Sequence, residues 1–157
     1  MMNKCRFFLV DDDPACCRML GTIIEQSELG TVIDIKHSGI GVVDSILNAN
    51  PDIVILDLLL PGMDGISIVA ELRAKGFCNG IIMISQVEKK HMIAQAYQMG
   101  VEFYINKPIN KIEVLSVITN VLYTQKLKFS LKVVHDSINA LVIPQYISNP
   151  APKQPFE

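Results

Sequence analysis

The stretch Pro51-Asp52-Ile53-Val54-Ile55-Leu56-Asp57 decides the fold. Ile53 to Leu56 are apolar without a break, so a strand built from them offers neither face to water. Such strands lie in the middle of parallel sheets that carry helices on both sides. Pro51 opens the strand and Asp57 ends it. A loop from Leu58 to Asp64, containing Pro61 and Gly62, follows.

The same alternation extends in both directions. Upstream, Phe7-Phe8-Leu9-Val10 is a short apolar run ending in Asp11-Asp12-Asp13. Pro14 suits the first turn of a helix capped by Asp13. Cys16, Met19, Leu20, Ile23 and Ile24 then recur at helical spacing, and Gly30 is expected to end that element. Val32, Ile33 and Ile35 give a second strand, followed by a helix from about Gly41 to Asn48. Downstream, Ile66, Ile68, Val69 and Leu72 mark a helix. Gly80 leads into the buried strand Ile81 to Ser85. A helix from about Glu88 stops at Gly100. Val101 to Ile105 forms a fifth strand, Lys107-Pro108 ends it, and a helix begins near Asn110. Five βα repeats predict an α/β fold, a five-stranded parallel, doubly wound, flavodoxin-like sheet with right-handed crossovers.

Beyond the repeats, Ile112, Leu115, Ile118 and Leu122 form one apolar stripe, and Leu127, Leu131, Val134, Ile138 and Leu141 a second, offset one. The spacing predicts an extended C-terminal helix to about Val142, stopped by Pro144. Near-heptad steps favour pairing with a second chain over folding back, with Lys126, Lys128 and Lys132 on the solvated face. Three prolines and no apolar period make the end of the chain a flexible tail.

Bulk properties narrow the function classes. Half of the 157 residues are hydrophobic and 19% are charged, a globular composition. A net charge of -2 gives no broad basic surface for nucleic acid. Cys5, Cys16, Cys17 and Cys78 lack metal-site spacing, and free thiols are expected. With no signal-peptide pattern and no apolar run of about 20 residues, the expected location is cytoplasmic.

In doubly wound sheets ligands bind at the carboxyl ends of the strands, which here carry Asp11, Asp12, Asp57, Ser85 and Lys107. Singly, each is a helix cap or a solvated charge. Together they are a site. If strands one and three are neighbours, Asp11, Asp12 and Asp57 crowd together and repel unless a cation is present. Oxygen ligands without Cys or His favour Mg2+. Lys107 and the Ser85 hydroxyl would then meet phosphoryl oxygens, and Asp57 is the natural nucleophile. His37, His91 and His135 are isolated, with no metal or catalytic role expected. Met19, Met83, Met92 and Met99 lie at core spacing.

These motifs closely resemble the receiver domain of bacterial two-component response regulators, the CheY-like fold. Phe8 to Pro14 is similar to the family's first strand and acidic pair. Pro51 to Asp57 with Leu60-Pro61-Gly62-Met63-Asp64-Gly65 resembles its phosphoacceptor motif. Ile84-Ser85 matches the strand that ends in a switch Ser or Thr, and Tyr104 to Pro108 matches the switch aromatic and the lysine-proline pair. Met83 to Glu88 and Tyr104 to Glu113 further resemble the glutamine-responsive GlnL (YcbB) regulators of Gram-positive bacteria. The resemblance implies a receiver over 4–126, a helical linker and candidate dimerisation helix over 127–143, and a flexible tail over 144–157. It implies phosphoryl transfer from a histidine kinase to Asp57. Mg2+ would lie on Asp12, Asp57 and the Leu59 main-chain carbonyl, with Asp11 acting through water. Ser85 and Tyr104 would relay the change to the face of the fourth helix, fifth strand and fifth helix. A homodimer through that face or the C-terminal helix is expected, with DNA engaged only through an output domain absent from this chain.

Two residues depart from the family pattern. Gln86 stands where a small residue is usual and is expected to narrow access to Asp57. Leu59 cannot orient an attacking water, so slow self-hydrolysis of the phosphoryl group is expected. Leu59 also argues against a haloacid-dehalogenase-type phosphatase, which needs an Asp there. Asp11-Asp12-Asp13-Pro14 argues against a flavodoxin-like cofactor loop, which needs a hydroxyl- and glycine-rich turn, because three acids repel a phosphate when no metal is present. An interaction-only, degenerate receiver is disfavoured by the full set of site residues.

Overall fold

A computed structural model describes residues 4–148. Strands β1 (Cys5–Val10), β2 (Gly30–Lys36), β3 (Ile53–Asp57), β4 (Gly80–Ser85) and β5 (Phe103–Asn106) alternate with helices α1 (Pro14–Gln26), α2 (Val42–Ala49), α3 (Gly65–Ala74), α4 (Lys90–Met99) and α5 (Lys111–Ser148). All five strands pair in parallel in the order β2-β1-β3-β4-β5. The five-stranded, doubly wound sheet is therefore as the sequence predicts, and β1 and β3 are neighbours.

Every residue of β3 and β4 is buried. Phe8, Val10, Val54, Leu56, Ile81 and Met83 alternate onto one core, where they meet Val42, Ile46, Ile68 and Leu72 from α2 and α3. β2 lies at the sheet edge and is correspondingly half-exposed. Asp13 caps α1 through its side chain, with Pro14 in the first turn. Asp64 caps α3 through Ser67. Gly100 closes α4 at φ 106°, a conformation that suits residues without a Cβ.

Four local expectations are corrected. Gly30 does not end α1, which stops at Gln26; it opens β2. Met19 is half-exposed rather than core, because α1 seats Cys16, Cys17, Leu20, Ile23 and Ile24. Among the described side chains of α5 the buried ones are Val114, Val117, Ile118 and Val121, while Ile112 is exposed. The helix is apolar on adjacent faces, and packing against the sheet decides which turns inward. Finally, Pro144 does not stop α5, which continues to Ser148. A proline removes one backward hydrogen bond and crowds the preceding turn, but the residues after it retain their own N–H groups. Of the expected flexible tail over 144–157, residues 149–157 lie outside the described residues.

Chain contacts divide the molecule into a unit ending at Val121 and a second beginning at Leu122. In the second, every side chain from Lys126 to Leu141 is exposed. Among the described residues, no helix is long and apolar enough to cross a membrane. All four cysteines are free thiols, and burial pushes that of Cys17 up to about 11.

Candidate functional site

The register of the sheet assembles the site. Val10 pairs with Leu56, so the next residues, Asp11 and Asp57, emerge side by side. Asp57 pairs with Ile84, which places Ser85 one step further along the adjacent strand. Ser85 pairs with Asn106, and the following Lys107 donates its main-chain N–H to the Ser85 carbonyl at 2.9 Å. The Lys107-Pro108 peptide is cis.

Asp11, Asp57 and Ser85 are the buried polar side chains of the described residues. One carboxylate oxygen from each of Asp11, Asp12 and Asp57 falls within 4.8 Å of the others. Lys107 Nζ lies 2.8 Å from Asp11 Oδ2 and 3.0 Å from Asp57 Oδ2. The remaining oxygens are held by the main chain: Asp13 N–H donates to Asp11 Oδ1 at 2.9 Å, and Leu59 N–H to Asp57 Oδ1 at 3.2 Å. Asp12 stays exposed.

Gly65 lets the start of α3 approach this edge. A Cβ there would stand 2.5 Å from the Asp57 carbonyl and 2.8 Å from the Leu58 Cα, and its N–H donates to the Leu58 carbonyl. Any larger residue would push α3 off the end of β3.

The electrostatics follow from burial. Burial raises the Asp57 carboxyl above the ordinary aspartate range, and the hydrogen bond and charge of Lys107 offset only part of that. Burial works against the Lys107 ammonium as well, but two carboxylates outweigh it and its net shift is upward. Two buried acids thus share one lysine. Asp11 Oδ2 is buried, and its charged neighbour is Lys107. A cluster of three carboxylate oxygens without Cys or His fits a hard divalent cation.

Ser85 is fully buried, and its Oγ accepts the Val87 N–H at 3.2 Å. Tyr104 packs partly against the core and donates its hydroxyl to the Val87 carbonyl at 2.7 Å. Both residues are thereby tied to the loop after β4. Gln86 is exposed and shares an open cavity of about 500 Å³ with Asp13, Cys16, Met19 and Lys107. Leu59 is exposed beside Asp57.

Asp11, Asp12, Asp57, Ser85 and Lys107 thus gather at one sheet edge, while Tyr104 lies within β5. One contact was not legible: His37 is not isolated. Its Nδ1 lies 2.8 Å from the Asp11 carbonyl. A lone histidine after an edge strand, 26 residues from its partner, carries no local pattern.

The chain matches the family model described as response regulator receiver domain over residues 7–119. It is similar to the transcriptional regulatory protein GlnL of Bacillus subtilis (38% identity, covering 87% of this chain and 44% of that protein). It is also similar to the transcriptional regulatory protein ResD of the same organism (30% identity, 72% and 46%). Among solved structures, a CheX-CheY-BeF3-Mg+2 complex from Borrelia burgdorferi matches at 29% identity, with a TM-score of 0.71 over 76% of this chain and 90% of that one. The chain spans less than half the length of the two regulators.

Proposed function

The chain belongs to the response regulator receiver domain family, and from that premise we propose that it is a phosphoacceptor switch whose acceptor is Asp57. The observation that carries the reading is the buried edge where Asp11, Asp12 and Asp57 converge and Lys107 bridges Asp11 to Asp57. That pattern pairs a nucleophilic carboxylate with a ready cation for an incoming phosphoryl group.

The Asp57 carboxylate forms the new P–O bond as the P–N bond to the histidine of the donor kinase breaks. Lys107 trades its contact with Asp57 for one with a phosphoryl oxygen, and the Ser85 hydroxyl turns from Val87 to donate to another. Asp12, Asp57 and the Leu59 main-chain carbonyl would hold Mg2+, with Asp11 acting through water. When bound, Mg2+ offsets the negative charge on the phosphoryl oxygens. The chain catalyses only its own phosphorylation and dephosphorylation. With Leu59 beside the acceptor no side chain orients a water, and Gln86 crowds the approach, so the phosphoryl group is long-lived.

The added phosphoryl group brings nearly two negative charges. Departure of Ser85 from Val87 disturbs the loop that also holds the Tyr104 hydroxyl, and so alters the surface of α4, β5 and α5. The output is transcriptional, through an additional domain that contacts DNA, and the switch works in the cytoplasm. A second copy of the chain pairs along Leu127, Leu131, Val134, Ile138 and Leu141 or through the α4-β5-α5 face.

The test is incubation with acetyl phosphate and MgCl2, followed by intact-mass measurement of wild type and Asp57→Ala. The expected result is a gain of one phosphoryl group in wild type alone. The same gain in the variant would overturn the assignment of Asp57.

A further inference from the structure

The loop between β2 and α2 touches both loops that carry the acids. Asp11 N–H donates to the Lys36 carbonyl at 3.0 Å, which continues the β1-β2 pairing past the end of the strand. The next residue, His37, reaches back with Nδ1 to the Asp11 carbonyl at 2.8 Å. A carbonyl can only accept, so Nδ1 carries the proton and the ring orientation is set. The Cys17 thiol approaches the same carbonyl at 3.7 Å.

On its other side the loop holds the segment that follows Asp57. Gly39 N–H donates to the Pro61 carbonyl at 2.9 Å, and Ser38 Oγ to the same oxygen at 3.4 Å. The fit is close: a Cβ on Gly39 would stand 2.2 Å from the Met63 carbonyl oxygen, and one on Gly62 2.4 Å from Ile40 Cγ1. His37, Ser38 and Gly39 therefore tie the main chain at Asp11 to the main chain at Pro61. The His37 ring is itself exposed, so core packing does not account for it; its hydrogen bond to Asp11 is its link to the rest of the fold.

We propose that the segment His37-Ser38-Gly39 of this loop is a brace that sets the spacing between the Asp11-Asp12 loop and the Asp57-Leu59 loop, and that His37 is a positioning residue for Mg2+. The inference rests on the metal reading above. Ligands drawn from separate loops bind a small ion well only if their spacing is fixed beforehand, and groups that orient ligands commonly matter nearly as much as the ligands. Asn at position 37 keeps a side-chain N–H at nearly the place of Nδ1, whereas Ala removes it.

The test is titration calorimetry of the full chain with MgCl2, beside thermal melts in EDTA. His37→Ala should weaken Mg2+ binding by about tenfold, with His37→Asn restoring most of the affinity. Asn79→Ala is the stability control: Asn79 bonds to the Pro51 carbonyl at the opposite, amino end of the strands, and its loss should lower the melting temperature without moving Mg2+ affinity. Absence of Mg2+ binding to wild type would overturn the metal reading itself. Normal wild-type binding with an unchanged affinity in His37→Ala would overturn the brace alone. So would failure of Asn to rescue, or a loss of equal size in Asn79→Ala.

Discussion

The ammonium of Lys107 lies 3.0 Å from Asp57 Oδ2, and it is shared, at 2.8 Å, with Asp11 Oδ2. The lysine is thus the counter-charge of two buried acids from different strands. Lys107→Met leaves both carboxylates without it. Breaking a buried ion pair from one side typically costs about 3 kcal/mol. The variant should therefore lose about that much stability at pH 8 in metal-free urea titrations. The deficit should shrink as the pH falls and Asp57, whose carboxyl burial already raises, takes up a proton. A deficit that does not depend on pH would refute the shared-charge account.

Asp57→Asn separates acceptor chemistry from stability. Burial raises the folded-state value of this carboxyl above its ordinary 3.8. Between those two values the folded protein binds a proton that the unfolded chain has released. Its contribution is fully present below the ordinary value and is lost as the pH rises through the raised one. Above that window the wild type keeps a penalised carboxylate, and the amide does not. Metal-free Asp57→Asn should be more stable than wild type at pH 7.5 by about 1 kcal/mol, or about 3 °C in melting temperature. The advantage should vanish toward the acid end of a melt series, and the variant should gain no mass with acetyl phosphate.

Much of this was legible in the sequence because it is carried by local pattern. The unbroken apolar run of Ile53 to Leu56 announces a strand buried on both faces, and β3 is that strand. The acids, Ser85 and Lys107 follow from their places at strand ends. The brace was not legible, because its contacts join residues far apart in the chain and all three of its hydrogen bonds end on carbonyl oxygens, which every residue has. Gly39 and Gly65 betray their close approaches only once the opposing main chain is known. The buried face of α5 was misjudged for a related reason: two helical stripes were available, and the sheet rather than the period selected Val114, Val117, Ile118 and Val121.

Tyr104 offers a test confined to the relay. Its hydroxyl bonds to the Val87 carbonyl, and Val87 N–H bonds to Ser85 Oγ. Tyr104→Phe removes one partly buried hydrogen bond, worth about 1 kcal/mol in urea unfolding. It leaves Asp57, Lys107 and the acidic cluster untouched. Phosphoryl uptake from acetyl phosphate should proceed at the wild-type rate. A large fall in uptake would mean that Tyr104 serves the chemistry and not the relay.

Leu59 should set the lifetime of the phosphoryl group. Its side chain is exposed next to the acceptor, and only its N–H engages Asp57. A Glu at this position could align water for attack, and positioned bases accelerate such steps by factors of about a hundred or more. Since Glu would act through an exposed, mobile side chain, Leu59→Glu should shorten the lifetime by about tenfold, below that range. Intact mass followed over time after removal of the donor reads this directly. Equal decay in both proteins would show that Leu59 does not set the lifetime.

The C-terminal helix supplies the last prediction. Leu127, Leu131, Val134, Ile138 and Leu141 advance in steps of four and three, and all five are exposed, Leu131 at 70% and Leu141 at 72%. That is the a and d seam of a heptad. The positions beside the seam carry Lys128, Ser130, His135 and Ser137. In a parallel pair, where each g position meets the following e position of the partner, Ser130 faces His135 and no two lysines oppose. Sedimentation equilibrium of the full chain should give a mass that rises with concentration toward a dimer. Leu131→Lys together with Ile138→Lys should give a monomer at every concentration, because two charges cannot be buried in the seam. Phe129 is also exposed, at 69%, but lies outside the seam. Phe129→Lys should therefore dimerise like wild type, and loss of the dimer in that variant would place the contact on a different face of the helix.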